Sequence, residues 1–550
     1  MTSCHVPPAG FRGVYRSDAL ARAVYSEAAG ISRIVPAAVA VPVDADDVVT
    51  LVRWAGERSL SLVPRGSGTS MAGGAIGPGV VVDLSRMSYI REVDIGSHAI
   101  WVGPGALRGD VNRAAAACGL RFPVDPSSGE YCTIGGMVST NAAGAHSLRF
   151  GATRPWVMSL DCVFADGSRG VISRGSPDPP DIPALERFSA VRPELVKSGE
   201  SVAHNGVAKD SSGYGIAPHV RSGELVDLLV GSEGTLVIVV GIQLALIEAA
   251  QSTSGVLGAF PSLDDAVRAA VRARESGAVA CELLDRTFLE VAAGTDSQAP
   301  VPALTAVPEG TEAVLLAEVE SDGDDSARIA GDALARVFRE AGASVTRVAI
   351  GANDQHEIWE LRHAASPILS RLDPALKSMQ FIEDGAVPAS HLADYVRGVR
   401  AALDSRAIRG VIFGHAGDSH IHVNPLIDVS KPDWHSYVEG LLAEVVDLTA
   451  KLGGTLAGEH GDGRLRTPLL YHVWSEHAVK LFSIVKKAFD PSGILNPGVK
   501  IPLEGQKPLG SIKYDPALAP LPHEARRALE QIAEGRSYST FRLSLIPGTQ

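Results

Sequence analysis

Short apolar runs separated by glycine-rich loops fill the first part of the chain. Residues 37–41 and 60–63 are apolar and flank a helical pattern over 46–55 that Asp46 can cap, so strand, helix and strand are expected in turn. Further strands are expected at 80–83 and 99–102, a short helix at 109–118, and a strand at 157–165 that Asp166-Gly167 turns. Apolar residues 225–230 precede a long β-rich run over 236–246. Strands this short predict an α+β domain ending near residue 246. The small, polar tract 249–255 reads as a linker. Beyond it strand and helix recur, with strands at 256–259, 278–284, 311–319 and 345–350 and helices at 263–276 (capped by Ser262), 287–293 and 326–341. This recurrence predicts an antiparallel sheet covered by helices on one face. Later helices are expected at 436–452, at 477–489, where Asp490-Pro491-Ser492-Gly493 stops the chain, and at 522–534.

At 550 residues the chain exceeds one ordinary core, so two or three domains are expected. A net charge of -13 without a basic stripe argues against a nucleic-acid partner. No apolar run approaches the roughly 20 residues of a membrane span. The first residues lack the basic and then apolar pattern of a signal peptide. A cytoplasmic place is expected, with peripheral attachment to the inner face of a membrane left open. Cys4, Cys118, Cys132, Cys162 and Cys281 form no Cys-x-x-Cys pair, which argues against a disulfide framework and an internal iron–sulfur cluster.

Two glycine-rich segments concentrate the chemistry. Residues 414–424 carry His415, Asp418, His420, His422 and Asn424, and residues 458–463 carry Glu459, His460 and Asp462. A strand through 411–413 and another through 421–423 would join across a turn, placing His420 and His422 on one face of the second strand. Glu459 can arrive from another loop. Two imidazoles and a carboxylate suit zinc with an open position for substrate, and the ligand set also admits manganese. Separately, the loop 64–74 offers backbone N–H groups in a tight turn, a nest of the kind that binds pyrophosphate, although a plain turn reads the same way.

The loop 64–74, Asp125-Pro126-Ser127-Ser128, Ile134-Gly135-Gly136, Ser212-Gly213-Tyr214, Val230-Gly231-Ser232-Glu233-Gly234-Thr235 and the stretch 489–498 recur in one order. That order resembles the FAD-binding domain of the vanillyl-alcohol oxidase and p-cresol methylhydroxylase (PCMH) superfamily. Residues 414–424 and 458–463, with 18–25 and 381–388, resemble the D-2-hydroxyacid dehydrogenases, which include D-lactate dehydrogenase, D-2-hydroxyglutarate dehydrogenase and the glycolate oxidase flavin subunit. The resemblance implies an α+β protein. A helical lead-in over 1–35 would precede a PCMH-type FAD-binding domain of two subdomains over 36–248. A substrate (cap) domain with an antiparallel sheet and a metal-binding loop would cover 249–450. A helical segment returning to the flavin would cover 451–500, followed by an extension over 501–550.

Carried over residue by residue, the resemblance implies non-covalent FAD held by Pro64, Arg65, Gly66, Ser67, Gly68, Thr69, Ser70 and Gly73. Pro126, Ser127, Gly135, Gly136, Ser139 and Gly144 would line the flavin, Glu233 and Ile238 its adenosine side, and Asn496 the isoalloxazine. It assigns His415, His422 and Glu459 as metal ligands and His460 as the base. Arg362 and Ser366 would hold the substrate carboxylate, where a guanidinium offers a bidentate fork, and Asn424 would lie beside it. Lys377, Arg464 and Arg466 are further candidate cations. Three positions depart from the family pattern: Val237 where glycine is usual, Ala145-His146 where small residues are common, and Ser419-His420 in place of Gly-Asn. His146 is therefore weighed as a covalent flavin anchor against a pocket or surface residue, and His420 as an extra ligand or a donor behind the ligands.

The implied reaction is oxidation of a D-2-hydroxy acid to the 2-oxo acid by hydride transfer to flavin N5, assisted by zinc or manganese. D-lactate leads, with D-2-hydroxyglutarate or glycolate as alternatives. Electrons would leave to a separate quinone, cytochrome, flavoprotein or iron–sulfur partner, and a homodimer is left open. The rival readings are an oxidase of another alcohol, an alkylglycerone-phosphate synthase-like enzyme without net redox, and a flavin-binding protein without activity.

Overall fold

The structure, a computed structural model, describes residues 6–293, 302–363 and 375–548. Strands Ala38–Val41, Val80–Asp83 and Leu62–Arg65 pair in parallel, and Val14–Arg16 adds an antiparallel edge. Parallel strands are buried on both faces, which is why they read as unbroken apolar runs. The lead-in over 1–35 thus contributes an edge strand as well as helix Ala19–Val24, a correction to its helical reading. Helix Ala45–Glu57 is capped by Asp44, whose carboxylate accepts from the N–H groups of Asp46 and Asp47. The cap therefore precedes Asp46, which supplies negative charge to the first turn instead.

A second sheet runs Ala99–Val102, Ile238–Ala245, Val157–Val163, Arg169–Ser173, antiparallel throughout. Helix Glu476–Phe489 packs Phe482 and Phe489 into its core. The chain then returns to the first sheet, where Leu495 bridges Leu62. The segment after residue 451 thus clamps the two small sheets together.

The third sheet is antiparallel across Val345–Ile350, Ser252–Phe260, Ala313–Ser321, Ala280–Asp285, Gly410–Gly414, His420–Asp428 and Leu376–Ser378, with Gly385–Ala386 pairing the start of His420–Asp428. Two expectations are corrected here. The tract 249–255 is no linker, because Ser252–Phe260 pairs on both edges. Its small residues answer to helix Asp324–Glu340 packing close above it: a methyl on Gly331 would stand 2.2 Å from Ser254 Oγ. Helices also cover both faces of the sheet. Val256 and Phe260 face helices Leu263–Glu275 and Asp324–Glu340, whereas Leu257 and Ala259 face Arg286–Ala293 and Ala352–His363. Alternating positions are apolar on both sides, so the strand reads as a continuous run.

The extension beyond residue 501 is anchored. Helix His523–Glu534 lays Ala525, Ala528 and Leu529 against helix Ala19–Val24 and against Val39, Val63 and Val81 of the first sheet. No described helix is long and apolar enough to cross a membrane.

His146 joins the flavin-side sheets to the third sheet. One ring nitrogen bonds Asp125, the other bonds Glu318 at 2.9 Å, and the ring stacks on Trp359. Both nitrogens are engaged, so the residue is an interdomain clamp and offers no atom for a covalent flavin link. Burial opposes the imidazolium, but Asp125 and Glu318 outweigh it and hold its pKa well above the ordinary value. His146→Leu leaves two carboxylates without their cation and should cost about 2–3 kcal/mol in denaturant unfolding. A raised folded pKa contributes stability fully below about pH 6.5, the ordinary imidazole value, and loses it as pH climbs through the folded value. The deficit of the variant should therefore be largest near pH 6 and shrink toward alkaline pH. A deficit that is absent or independent of pH removes the clamp.

Candidate active site

One cavity of about 970 Å³ runs between the first two sheets and the third, at the upper end for a small-molecule site. Pro64, Arg65, Gly66, Ser67, Gly68, Thr69, Ser70, Pro126, Ser127, Gly135, Gly136, Ser139, Glu233 and Ile238 all line it. The loop after strand Leu62–Arg65 is shaped from behind. Arg65 is buried, and its guanidinium donates to the carbonyls of Tyr25, Glu27 and Ala75 at 3.0–3.3 Å. Gly66 passes so close to Thr133 that a methyl there would stand 2.1 Å from Oγ1. Among the described residues the N–H groups of Ser67, Gly68, Thr69 and Ser70 meet no protein acceptor, and the buried Ser70 Oγ has no partner. Buried donors of this kind call for an acceptor from outside the chain, and a phosphate-bearing dinucleotide such as FAD supplies one.

Gly73, Gly144 and Asn496 do not line the cavity. Asn496 donates to the carbonyls of Gly74 and Glu233 at 3.0 and 2.8 Å and accepts from Arg464 at 2.8 Å, fixing the loops from behind. Gly144 lies against the Asp125 backbone, where a methyl would stand 2.1 Å from the carbonyl oxygen. Glu233 turns its carboxylate inward to the N–H of Asp462 at 2.7 Å and to Lys500 at 3.1 Å.

At the other end, strands Gly410–Gly414 and His420–Asp428 pair so that Phe413 faces His422 and Val411 faces Asn424. His420 and His422 sit on one face, with ring centroids 4.6 Å apart. Four imidazoles converge on one carboxylate. His415 Nε2, His422 Nε2, His460 Nε2 and His420 Nδ1 lie 3.3, 3.5, 3.4 and 4.0 Å from Glu459. Each ring is oriented by its second nitrogen. His415 donates to Glu282, His422 to the Glu383 carbonyl at 2.7 Å, His420 to Asp384 at 2.8 Å and His460 to Glu383 at 2.7 Å. Outward N–H bonds of this type fix the tautomer and present a lone pair inward. The His420 Nδ1 atom is buried and without a partner. Three imidazole nitrogens and Glu459 therefore fit a divalent cation, and the ligand atoms of His415, His420, His422 and Glu459 all lie within 4.8 Å of one another.

The buried acids and imidazoles balance one another's charge. Burial lowers His420 to about 3, so it is neutral. Burial also opposes charge on His422, yet Glu383 and Glu459 raise it to about 9. His460 is opposed by burial in the same way and is carried well above the ordinary imidazole range by Glu383 and Asp384. Glu459, despite burial, is held well below the carboxylate range by Lys209 and His415. A dication among these groups would take over the neutralisation and displace the imidazole protons.

His422, Asn424, Glu459, His460 and Arg362 reach the cavity wall, whereas His415 and His420 stand behind it. Arg362, on helix Ala352–His363, donates from Nε to Glu282 at 2.6 Å and lies 4.8 Å over the Phe413 ring. Glu282 thus orients both Arg362 and His415. Ser366 lies outside the described residues. Lys377 lines the cavity, as does Lys513 of the extension, and the two flank the Tyr514 ring at 5.9 and 5.2 Å. Arg464 and Arg466 are committed elsewhere, Arg464 to Asn496 and Arg466 to Glu383 and Asp384. The residues sequence reasoning missed are Glu282, Lys209, Glu383 and Asp384. The signal for Glu282 was a charge within the apolar strand Ala280–Asp285, whereas Lys209, in a polar loop, carried none.

Comparison with known proteins agrees with this architecture. Residues 36–172 match the model for an FAD binding domain, and residues 249–499 match that for the C-terminal domain of FAD linked oxidases. The chain is 29% identical to the glycolate oxidase subunit GlcD of Bacillus subtilis over 490 residues, 88% of this chain and 93% of that protein. It is 29% identical to a D-lactate dehydrogenase of Archaeoglobus fulgidus, covering 83% of this chain and 89% of that one. It is 31% identical to a D-2-hydroxyglutarate dehydrogenase of Escherichia coli over 90% of this chain but spans only 51% of that relative. In fold it resembles a 4-ethylphenol oxidase from Gulosibacter chungangensis, with a TM-score of 0.63 at 15% identity over 89% of this chain and 95% of that one.

Equilibrium dialysis with zinc or manganese, read by elemental analysis, should find one ion per chain. Glu282→Gln should weaken its binding by roughly 10–100-fold through loss of the His415 anchor. Binding that is unaffected by Glu282→Gln places the ion elsewhere.

Proposed function

The chain belongs to the FAD-linked oxidase superfamily, with a PCMH-type flavin domain and kinship to the D-2-hydroxyacid dehydrogenases, and on that footing we propose that it oxidises a D-2-hydroxy acid to the 2-oxo acid. The observation that carries this reading is the meeting of Arg362, Asn424, His422, Glu459 and His460 on the wall of a cavity large enough for a dinucleotide and a small acid. When bound, FAD supplies the hydride acceptor, and a divalent ion, zinc foremost and manganese as the alternative, supplies Lewis acidity toward the substrate hydroxyl. His415, His422 and Glu459, joined by His420, would hold the ion.

The remaining work falls to the chain's own groups. Arg362, held at Nε by Glu282, keeps its other nitrogens for the substrate carboxylate. Asn424 adds a neutral donor beside it. Once the proton that Glu383 and Asp384 favour has been displaced by a bound cation, His460 Nε2 can take the hydroxyl proton, while its Nδ1 remains on Glu383. That bond fixes the imidazole and stabilises the imidazolium that forms. His460 is the most exposed of the four imidazoles, at 26% of its side chain, so its proton can leave to solvent. Phe413 and the buried strand behind it keep water from the reacting carbon.

D-lactate is the substrate we place first, with glycolate as the smaller alternative. A specific observation favours a second acid. Lys377 beside Tyr514 offers positive charge to a distal carboxylate, as in D-2-hydroxyglutarate, while Lys513 is held on the Ala28 and Ala29 carbonyls. Electrons would pass to a separate acceptor, a quinone, cytochrome, flavoprotein or iron–sulfur partner.

Anaerobic stopped flow should show the flavin bleached by a D-2-hydroxy acid and not by its L enantiomer. His460→Ala should retain FAD and slow bleaching by roughly 10²–10⁴-fold. Chelation should slow it as well, with zinc or manganese restoring it. Fast bleaching in His460→Ala removes this residue as the base, and a flavin indifferent to every 2-hydroxy acid removes the proposal.

A further inference from the structure

The phosphate end of the cavity lacks a full positive charge from the flavin-binding domain. Of the lining residues between Ala29 and Val239, Arg65 is the one cation, and it is spent on three backbone carbonyls. Loop 66–70 offers backbone N–H groups and one orphaned hydroxyl. An FAD pyrophosphate carries two negative charges, in a protein whose net charge is already -13. Lys377 stands at the opposite end, since Leu376–Ser378 pairs with the strand that carries His422 and Asn424. Lys513 lies beside loop 66–70 but is spent on the carbonyls of Ala28 and Ala29, each at 3.3 Å.

The missing charge comes from the C-terminal extension. Helix His523–Glu534 ends at Gly535, and Arg536 follows with φ 49, a left-handed backbone seldom adopted by a residue with a side chain. Its guanidinium lies 5.6 Å over the ring of Tyr131 and lines the cavity, and it makes no ion pair or hydrogen bond among the described residues. Tyr131 lies in the loop that runs to Thr133, the residue against Gly66. Tyr538, two residues after Arg536, also lines the cavity and is close enough to Arg65 to bear on its charge. Arg536 therefore lines the cavity beside the loop of Tyr131 and Thr133 that packs on Gly66, with Tyr538 of the same segment near Arg65. That left-handed residue closes the helix, the Ser537 N–H donating to the Ile532 carbonyl at 3.0 Å, and so fixes the position of Arg536 at the helix end.

We propose that Arg536 is a cofactor-binding residue supplied by the C-terminal extension, its guanidinium neutralising the phosphates of FAD where the extension closes over loop 66–70. The inference rests on FAD binding and is independent of the substrate. A guanidinium suits this because it pairs with phosphate in a planar, bidentate manner while stacking on an aromatic ring.

The test is reconstitution of the full-length apoprotein with FAD and with riboflavin, which lacks the phosphates, followed by quenching of flavin fluorescence. Arg536→Ala should weaken FAD by roughly tenfold or more and lower the salt dependence of its binding. Riboflavin affinity should stay as in the wild type, and Arg536→Lys should recover part of the FAD loss. Thermal unfolding of each apoprotein separates folding from binding, and Arg536→Gln replaces the alanine variant if that fails to fold. Equal FAD affinity in wild type and variant, or an equal loss for FAD and riboflavin, overturns the proposal. Because no hydroxy acid is present, these outcomes leave the oxidation reading to stand or fall separately.

Discussion

The carboxylate of Glu459 is the point on which the rest of the site depends. It is buried, yet held ionised by Lys209 from the flavin-binding domain and by His415 from the third sheet. A buried carboxylate is tolerable only with such partners. Two domains and the loop after residue 451 therefore meet at one oxygen pair. The same charge that makes the position costly also makes it a place for a cation.

Around that carboxylate the fold supplies rigidity and reach from different parts of the chain. The third sheet fixes His422 and Asn424 through strand pairing, and His420 through its pairing with Ala386, while His415 lies in the turn between the strands and its carbonyl accepts from the His420 N–H at 3.2 Å. Buried acids behind them, Glu282, Asp384 and Glu383, set which nitrogen of His415, His420 and His460 faces inward, and the backbone carbonyl of Glu383 does so for His422. The glycine loop after Leu62–Arg65 takes the opposite approach, leaving backbone donors open to the cavity. A site made in this way holds anionic ligands at one end by N–H dipoles and a cation at the other by imidazoles. A hydroxy acid placed between them would meet both a positive clamp and a base.

Much of this was legible along the chain because it is local. Ser262 caps its helix as expected, since a serine before an apolar-periodic run satisfies the first N–H groups. The hairpin that carries His415 and His422 could be read because strand alternation fixes which residues share a face. Contacts between distant segments left no such trace. Nothing near Lys513, Tyr514 or Arg536 signals that the extension walls the cavity, because those contacts arise from packing against helix Ala19–Val24 some five hundred residues away in sequence. The tract 249–255 reads as a linker for a related reason, although the strand at 256–259 is as expected: small residues serve close helix packing as readily as a linker, and only the helix above distinguishes them. Asn496 is a further case, where a motif marked a position of importance and the structure gives it the work of binding loops together.

The central claim is that His415, His420, His422 and Glu459 together form a cation site. X-ray absorption at the zinc edge, on protein loaded with one equivalent of zinc, tests it most directly. The account predicts about three imidazole nitrogens and a carboxylate oxygen at roughly 2.0–2.2 Å, with the outer scattering of imidazole rings. A first shell of oxygen alone, without imidazole scattering, contradicts it.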